Sequence, residues 1–129
     1  MDYEQITLEI SDGVGVLTLN RPERLNAWTS TMNREMVAAV EHFNADKGVG
    51  AIVVTGAGRG FCAGADIRDN FQSRIDNDGS EETTNQKSLK NWVDLVRESK
   101  PMIAAVNGAS VGVGATLTLP MDVIIASEQ

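Results

Sequence analysis

Cysteine and histidine are nearly missing from this chain of 129 residues: there is one of each, Cys62 and His42. A lone cysteine closes no internal disulfide, so the fold does not depend on an oxidising compartment. A lone histidine excludes a multi-histidine metal site, and no metal is expected. Basic residues are also in short supply, with 11 Lys plus Arg against 18 Asp plus Glu and a formal charge of −7. Without a dense Lys/Arg run, that balance speaks against a nucleic-acid binder or an anionic-membrane binder. No apolar run reaches the roughly 18 residues of a membrane span. The first five residues, Met1-Asp2-Tyr3-Glu4-Gln5, are acidic and lack the apolar stretch of a targeting peptide, so a cytoplasmic location is expected. Low-complexity tracts and clean repeats are missing too.

What is present is ordinary globular material, 42% hydrophobic and 22% charged. A chain of this size can bury a core without staples, and residues 1–129 are expected to form a single domain. Ile6–Ile10 and Val14–Leu19 alternate on either side of Asp12-Gly13, which predicts a β-hairpin. Met32, Met36, Val40 and Phe43 recur at helical spacing, predicting a helix over 30–45 that ends near Lys47-Gly48. Ala51–Thr55 is a continuous apolar run between glycines, which suits a strand buried on both faces. Residues 69–87 carry the run Asp76–Glu82 and read as a surface loop; a second helix is expected over about 89–98. Met102–Val106 and Asp122–Ala126 read as further strands. One theme recurs at 51–67 and 102–119: an apolar strand, a glycine-rich turn, a helix start.

Several chemistries fail on the residues present. Gly56-x-Gly58 follows a strand, but Phe61 stands where a dinucleotide fingerprint needs its third glycine, and no Gly-Lys-Ser/Thr completes a P-loop. A nucleotide-binding module is therefore disfavoured. His42 falls on the solvated flank of its helix beside Glu41, away from any partner for a nucleophilic triad. Cys62, between Phe61 and Ala63, reads as a packed thiol. The glycine-rich turns allow two readings. They can permit close strand–helix packing, or they can expose two backbone N–H groups that converge on one carbonyl oxygen, as enolate stabilisation requires. Composition leaves the two open.

Three stretches carry a resemblance: Arg21-Pro22-Glu23-Arg24-Leu25-Asn26-Ala27, then Gly60-Phe61-Cys62-Ala63-Gly64-Ala65-Asp66-Ile67, then Lys100–Gly108 with Gly112-Val113-Gly114. In this order and at these separations they resemble the crotonase (enoyl-CoA hydratase/isomerase) superfamily, from about residue 5 to the last residue. The resemblance implies an α/β fold, a spiral of ββα units, incomplete here because only the N-terminal portion of the family domain is matched. It implies an acyl-CoA thioester as substrate, with coenzyme A part of that substrate and no separate cofactor. The thioester oxygen would be held by the backbone N–H groups of Ala65 and Val113, the Val113 side chain pointing away from the ligand. Leu25, Ala27, Ala63, Ala65, Asp66, Ile67 and Gly112 would line the substrate pocket, and Arg24 would meet a coenzyme A phosphate.

The resemblance further implies a homo-oligomer, trimer or hexamer, at full length. Hydratases of this family use two glutamates; Thr116 occupies the position of the first, and the second would fall about twenty residues later. A threonine hydroxyl is no general base near neutral pH. Double-bond isomerisation is therefore expected ahead of 2-enoyl-CoA hydration, with a non-catalytic acyl-CoA-binding module as a further alternative. The 129 residues alone are expected to lack the catalytic acid.

Overall fold

A computed structural model describes residues 2–69 and 92–128. Strands β1 (Ile6–Ser11) and β2 (Val14–Leu19) pair antiparallel from Ile6↔Leu19 to Ser11↔Val14. Asp12 and Gly13 turn between them at φ 50° and 78°, the pair of positive values whose twist matches a tight hairpin. A short 3-10 turn, Pro22–Arg24, follows, and Leu25 leaves it in the left-handed region. Helix α1 (Ser30–Ala45) begins where the Thr29 hydroxyl accepts the Met32 N–H at 3.0 Å. It buries Met32, Met36, Ala39, Val40 and Phe43, the face set by helical spacing. At its far end the Lys100 ammonium donates to the Phe43 carbonyl at 2.9 Å and to that of Asp46, each of which also accepts a backbone N–H, from Asp46 and Val49 respectively.

Strand β3 (Ala51–Gly56) lies parallel to β2, β4 (Met102–Val106) parallel to β3, and β5 (Val123–Ala126) parallel to β4. The sheet order is β1-β2-β3-β4-β5, a simple progression. Parallel neighbours need a crossover, and α1 supplies the one between β2 and β3. Ile52 and Val54 of β3 are fully buried, but Ala51, Val53 and Thr55 are only half-buried. The expectation of a strand buried on both faces is thus corrected: the main core lies on one side of β3. Strand β5 is exposed throughout, although its pairing is secured where Asp122 exchanges bonds with Met102, N–H to carbonyl at 3.0 Å and amide to carboxylate at 2.9 Å.

Residues 92–97 are helical and place Trp92 and Val96 in the core. The Trp92 indole N–H donates to the Leu117 carbonyl at 2.8 Å, tying this segment to the end of helix α2 (Val113–Thr116). The expected second helix is therefore present in its described part, while Leu89 and the expected loop beyond Asp69 lie outside the described residues. His42 is exposed and Cys62 buried, as the sequence suggested. Among the described residues no helix is long and apolar enough to cross a membrane. No group of three His, Cys, Asp or Glu among them could hold a metal.

Candidate functional site

The three resembling stretches, distant in sequence, lie side by side. On one flank of the 62–66 segment, Ala63 N–H donates to Leu25 O at 3.0 Å, Trp28 N–H to Gly64 O at 2.7 Å and Asp66 N–H to Trp28 O at 2.7 Å. These bonds make a parallel bridge between Trp28 and Ala65. On the other flank, Phe61 and Cys62 both donate to Ala109 O at 3.0 Å, and Val111 N–H donates to Cys62 O at 3.0 Å, bridging Cys62 to Ser110. The result is a narrow ribbon of three extended segments beyond the ends of β2, β3 and β4.

Two asparagines lock the turn that leads into this ribbon. Asn26, fully buried, accepts the Arg21 N–H at 2.7 Å and donates to the carbonyls of Ala57 and Gly60, each at 3.0 Å. Asn107 accepts the Gly56 N–H at 3.1 Å and donates to Gly58 O at 3.0 Å and Gly60 O at 3.3 Å. One amide comes from the first stretch and one from the third, and both close on the Gly60 carbonyl. An amide side chain carries donors and an acceptor together, so it can hold both kinds of backbone group in a turn that has no ladder.

The two glycine turns touch. Gly64 has φ +112° and Gly112 φ +57°, and a Cβ placed on Gly112 would stand 3.8 Å from the Gly64 Cα. The direction of the next amide in each turn follows from peptide planarity. No described peptide is cis, so each C=O and the following N–H point in opposite directions. Gly64 O is turned toward Trp28, so Ala65 N–H faces the flank occupied by 109–112. Gly112 O accepts from Ala115 and Thr116, both at 3.0 Å, so Val113 N–H points back out of the first turn of α2. Neither amide donates to a protein acceptor among the described residues. Ala65 and Gly112 are exposed, whereas Val113 packs partly against the core.

The other expected residues fall nearby. Leu25, Ala27 and Ala63 are half-buried along the ribbon; Arg24 is exposed on the 3-10 turn, and Ile67 is 82% exposed. Asp66 has a definite internal role. One oxygen accepts the Arg68 and Asp69 N–H groups at 3.0 and 3.1 Å, capping the turn at 67–69, and the other meets Arg21 Nη1 at 3.2 Å. The bond from Asp69 foremost, then Arg21 and the Arg68 bond, hold its carboxyl below the usual carboxylate range against the opposing effect of burial. A depressed native value means that stability from Asp66 is complete above about pH 4, the unfolded value. It is lost as pH falls through the lower native value. Denaturant unfolding should therefore show Asp66→Asn less stable than the native chain at neutral pH, the difference shrinking in acid.

Burial pushes the Cys62 thiol up, only partly offset by a hydrogen bond from Gly64. Iodoacetamide should accordingly label Cys62 slowly in the native protein and promptly after denaturation. Thr116 is exposed, its hydroxyl 3.3 Å from Val113 O. Sequence reasoning missed the positions of Asn26, Asn107 and Arg21 as organisers. The available signal was a single amide residue amid apolar or small neighbours, Leu25-Asn26-Ala27 and Val106-Asn107-Gly108, since a buried amide there must find partners.

Residues 9–129 match the family model described as Enoyl-CoA hydratase/isomerase. The chain belongs to the enoyl-CoA hydratase/isomerase family. A probable enoyl-CoA hydratase of Rhizobium meliloti is 43% identical over 128 residues, covering 99% of this chain and 48% of that protein. The 1,2-epoxyphenylacetyl-CoA isomerase of Escherichia coli is 38% identical, over 96% of this chain and 48% of that protein. A solved structure from Legionella pneumophila, a putative enoyl-CoA hydratase/isomerase (crotonase), superposes with a TM-score of 0.86 at 35% identity, covering 95% of this chain and 47% of that one. The chain thus spans about half the length of the curated relatives it matches. Its α/β architecture is the corresponding part of the crotonase fold, which is why the five-stranded sheet accounts for only part of that fold.

Proposed function

We propose that this family member acts on an acyl-CoA thioester, stabilising its enolate between the Ala65 and Val113 N–H groups, and that the reaction is enoyl-CoA double-bond isomerisation. The observation that carries this reading is a pair of amides on touching turns that donate to no acceptor among the described residues, one aimed at the neighbouring turn and one out of a helix start. In that reaction a proton leaves C2 of a 3-enoyl thioester, negative charge moves onto the thioester oxygen, and a proton returns at C4. Each donor aimed at the developing charge is worth about 10²–10³ in kcat. Leu25, Ala27, Ala63, Asp66, Ile67 and Gly112 would line the substrate path, and the exposed Arg24 would meet a phosphate. No described residue is assigned the proton transfer.

Thr116 supports isomerisation, because a hydroxyl there does not supply the carboxylate that the two-glutamate hydration expected of this family requires. The name of the Rhizobium meliloti relative, a probable enoyl-CoA hydratase, favours hydration as the second reading. Assay of the protein over its whole reading frame separates the two. Conversion of 3-enoyl-CoA to 2-enoyl-CoA with slow hydration of the latter is expected. Rapid hydration of 2-enoyl-CoA would establish the second reading, and binding without turnover would leave an acyl-CoA-binding module. The trimeric or hexameric assembly and cytoplasmic location belong to the same proposal.

A further inference from the structure

We infer that Arg21 is a positioning residue for the Ala65 amide. Its Nη1 donates to two groups on two different segments, Ala27 O at 2.7 Å and Asp66 Oδ2 at 3.2 Å. Ala27 directly precedes Trp28, and Asp66 directly follows Ala65. The guanidinium therefore fastens the two segments at the Trp28–Ala65 bridge, the contact that turns Gly64 O one way and Ala65 N–H the other.

Both ends of this link are anchored. The Arg21 N–H is held by Asn26 Oδ1, and Arg21 O accepts from Arg24 and Asn26, both at 2.9 Å. Asp66 is fixed by its second oxygen on the Arg68 and Asp69 amides. The side chains of the pair are only 17% and 16% exposed, so water competes weakly for them. A planar guanidinium holds two acceptors in fixed directions, and a lysine ammonium does not. A surface ion pair, by contrast, contributes little to stability and requires no second acceptor on a neighbouring segment. Without Arg21, Ala27 O and the Asp66 carboxylate would each turn toward water, and the Gly64–Ala65 peptide would lose its setting. Misplacement of a catalytic group by about 1 Å can cost about 10²-fold in rate.

This inference rests on reading Ala65 N–H as a donor to the thioester, and a spectroscopic test separates the two. Butyryl-CoA labelled with ¹³C at the thioester carbonyl, which has no double bond to react, is bound to the protein over its whole reading frame. Infrared difference spectra then report carbonyl polarisation. The native protein should shift the carbonyl band to lower frequency. Arg21→Met should lose much of that shift and about tenfold or more in kcat, with KM within about twofold. Arg21→Lys should recover only part. Asp66→Asn, which keeps an oxygen for the Arg68 and Asp69 amides, should behave like Arg21→Met, and the double variant should be no worse than either single one. If circular dichroism shows Arg21→Met unfolded, Asp66→Asn decides alone. A full shift in folded Arg21→Met or Asp66→Asn would overturn the inference and leave the donor reading intact. No shift in the native protein would overturn both.

Discussion

Replacing the Ala65 peptide N–H by an ester oxygen, through semisynthetic insertion of lactic acid at that position, is expected to lower kcat on 3-enoyl-CoA by about 10²–10³-fold. The methyl side chain and the chain length remain; the exchange removes the donor and also weakens the Gly64 carbonyl as acceptor of the Trp28 N–H, so the Val113 ester, whose preceding carbonyl lies in the first turn of α2, is the companion variant. Because the Ala65 N–H has no acceptor among the described residues, its loss breaks no internal hydrogen bond there. KM should change much less than kcat, since the donor is realised most strongly when charge develops on oxygen. An ester at Val113 should act in the same sense. A rise in KM with kcat unchanged would instead mark the Ala65 N–H as a ground-state contact.

A second large effect is expected from Gly108→Ala. A Cβ at this position would stand 1.9 Å from Arg59 O and 2.9 Å from Arg59 C, both backbone atoms that no rotamer change can move. Gly108 follows Asn107, whose amide holds the turn at Gly56, Gly58 and Gly60, so relief of the clash must open that clamp. The expected loss is about 3 kcal/mol or more, at the upper end for overpacking. It is read as a fall in the urea midpoint with an unchanged slope. Gly50→Ala is the control: its Cβ would meet nothing closer than 3.8 Å, and the change should be within about 0.5 kcal/mol. Equal midpoints for the two variants would refute the tight approach of the third stretch to the second.

Much of this fold was legible because it is written locally. Asp12-Gly13 states a hairpin in two residues, and Met32, Met36, Val40 and Phe43 state a helix face in a dozen. The strand–turn–helix theme at 51–67 and 102–119 also appears, ending in the turn at 67–69 and in α2. The reading failed where neighbours decide. An apolar run such as Ala51–Thr55 looks the same whether one face or both are covered, and the core lies on one side of β3. The ribbon of 25–28, 62–66 and 109–111 shows no alternation, because its pairings are single bridges, Trp28 to Ala65 and Cys62 to Ser110, and not runs of ladder. The roles of Asn26, Asn107 and Arg21 depend on partners 5 to 51 residues away, which no local pattern encodes. Ala65 and Val113 were reached through the resemblance, since their side chains carry no chemistry and their backbone direction exists only after folding.

If two main-chain amides from separate turns share one thioester oxygen, a crystal structure with bound butyryl-CoA will show it. That oxygen is expected within about 2.7–3.1 Å of both Ala65 N and Val113 N. An oxygen seated against other groups, with either amide turned onto a protein carbonyl, would contradict it.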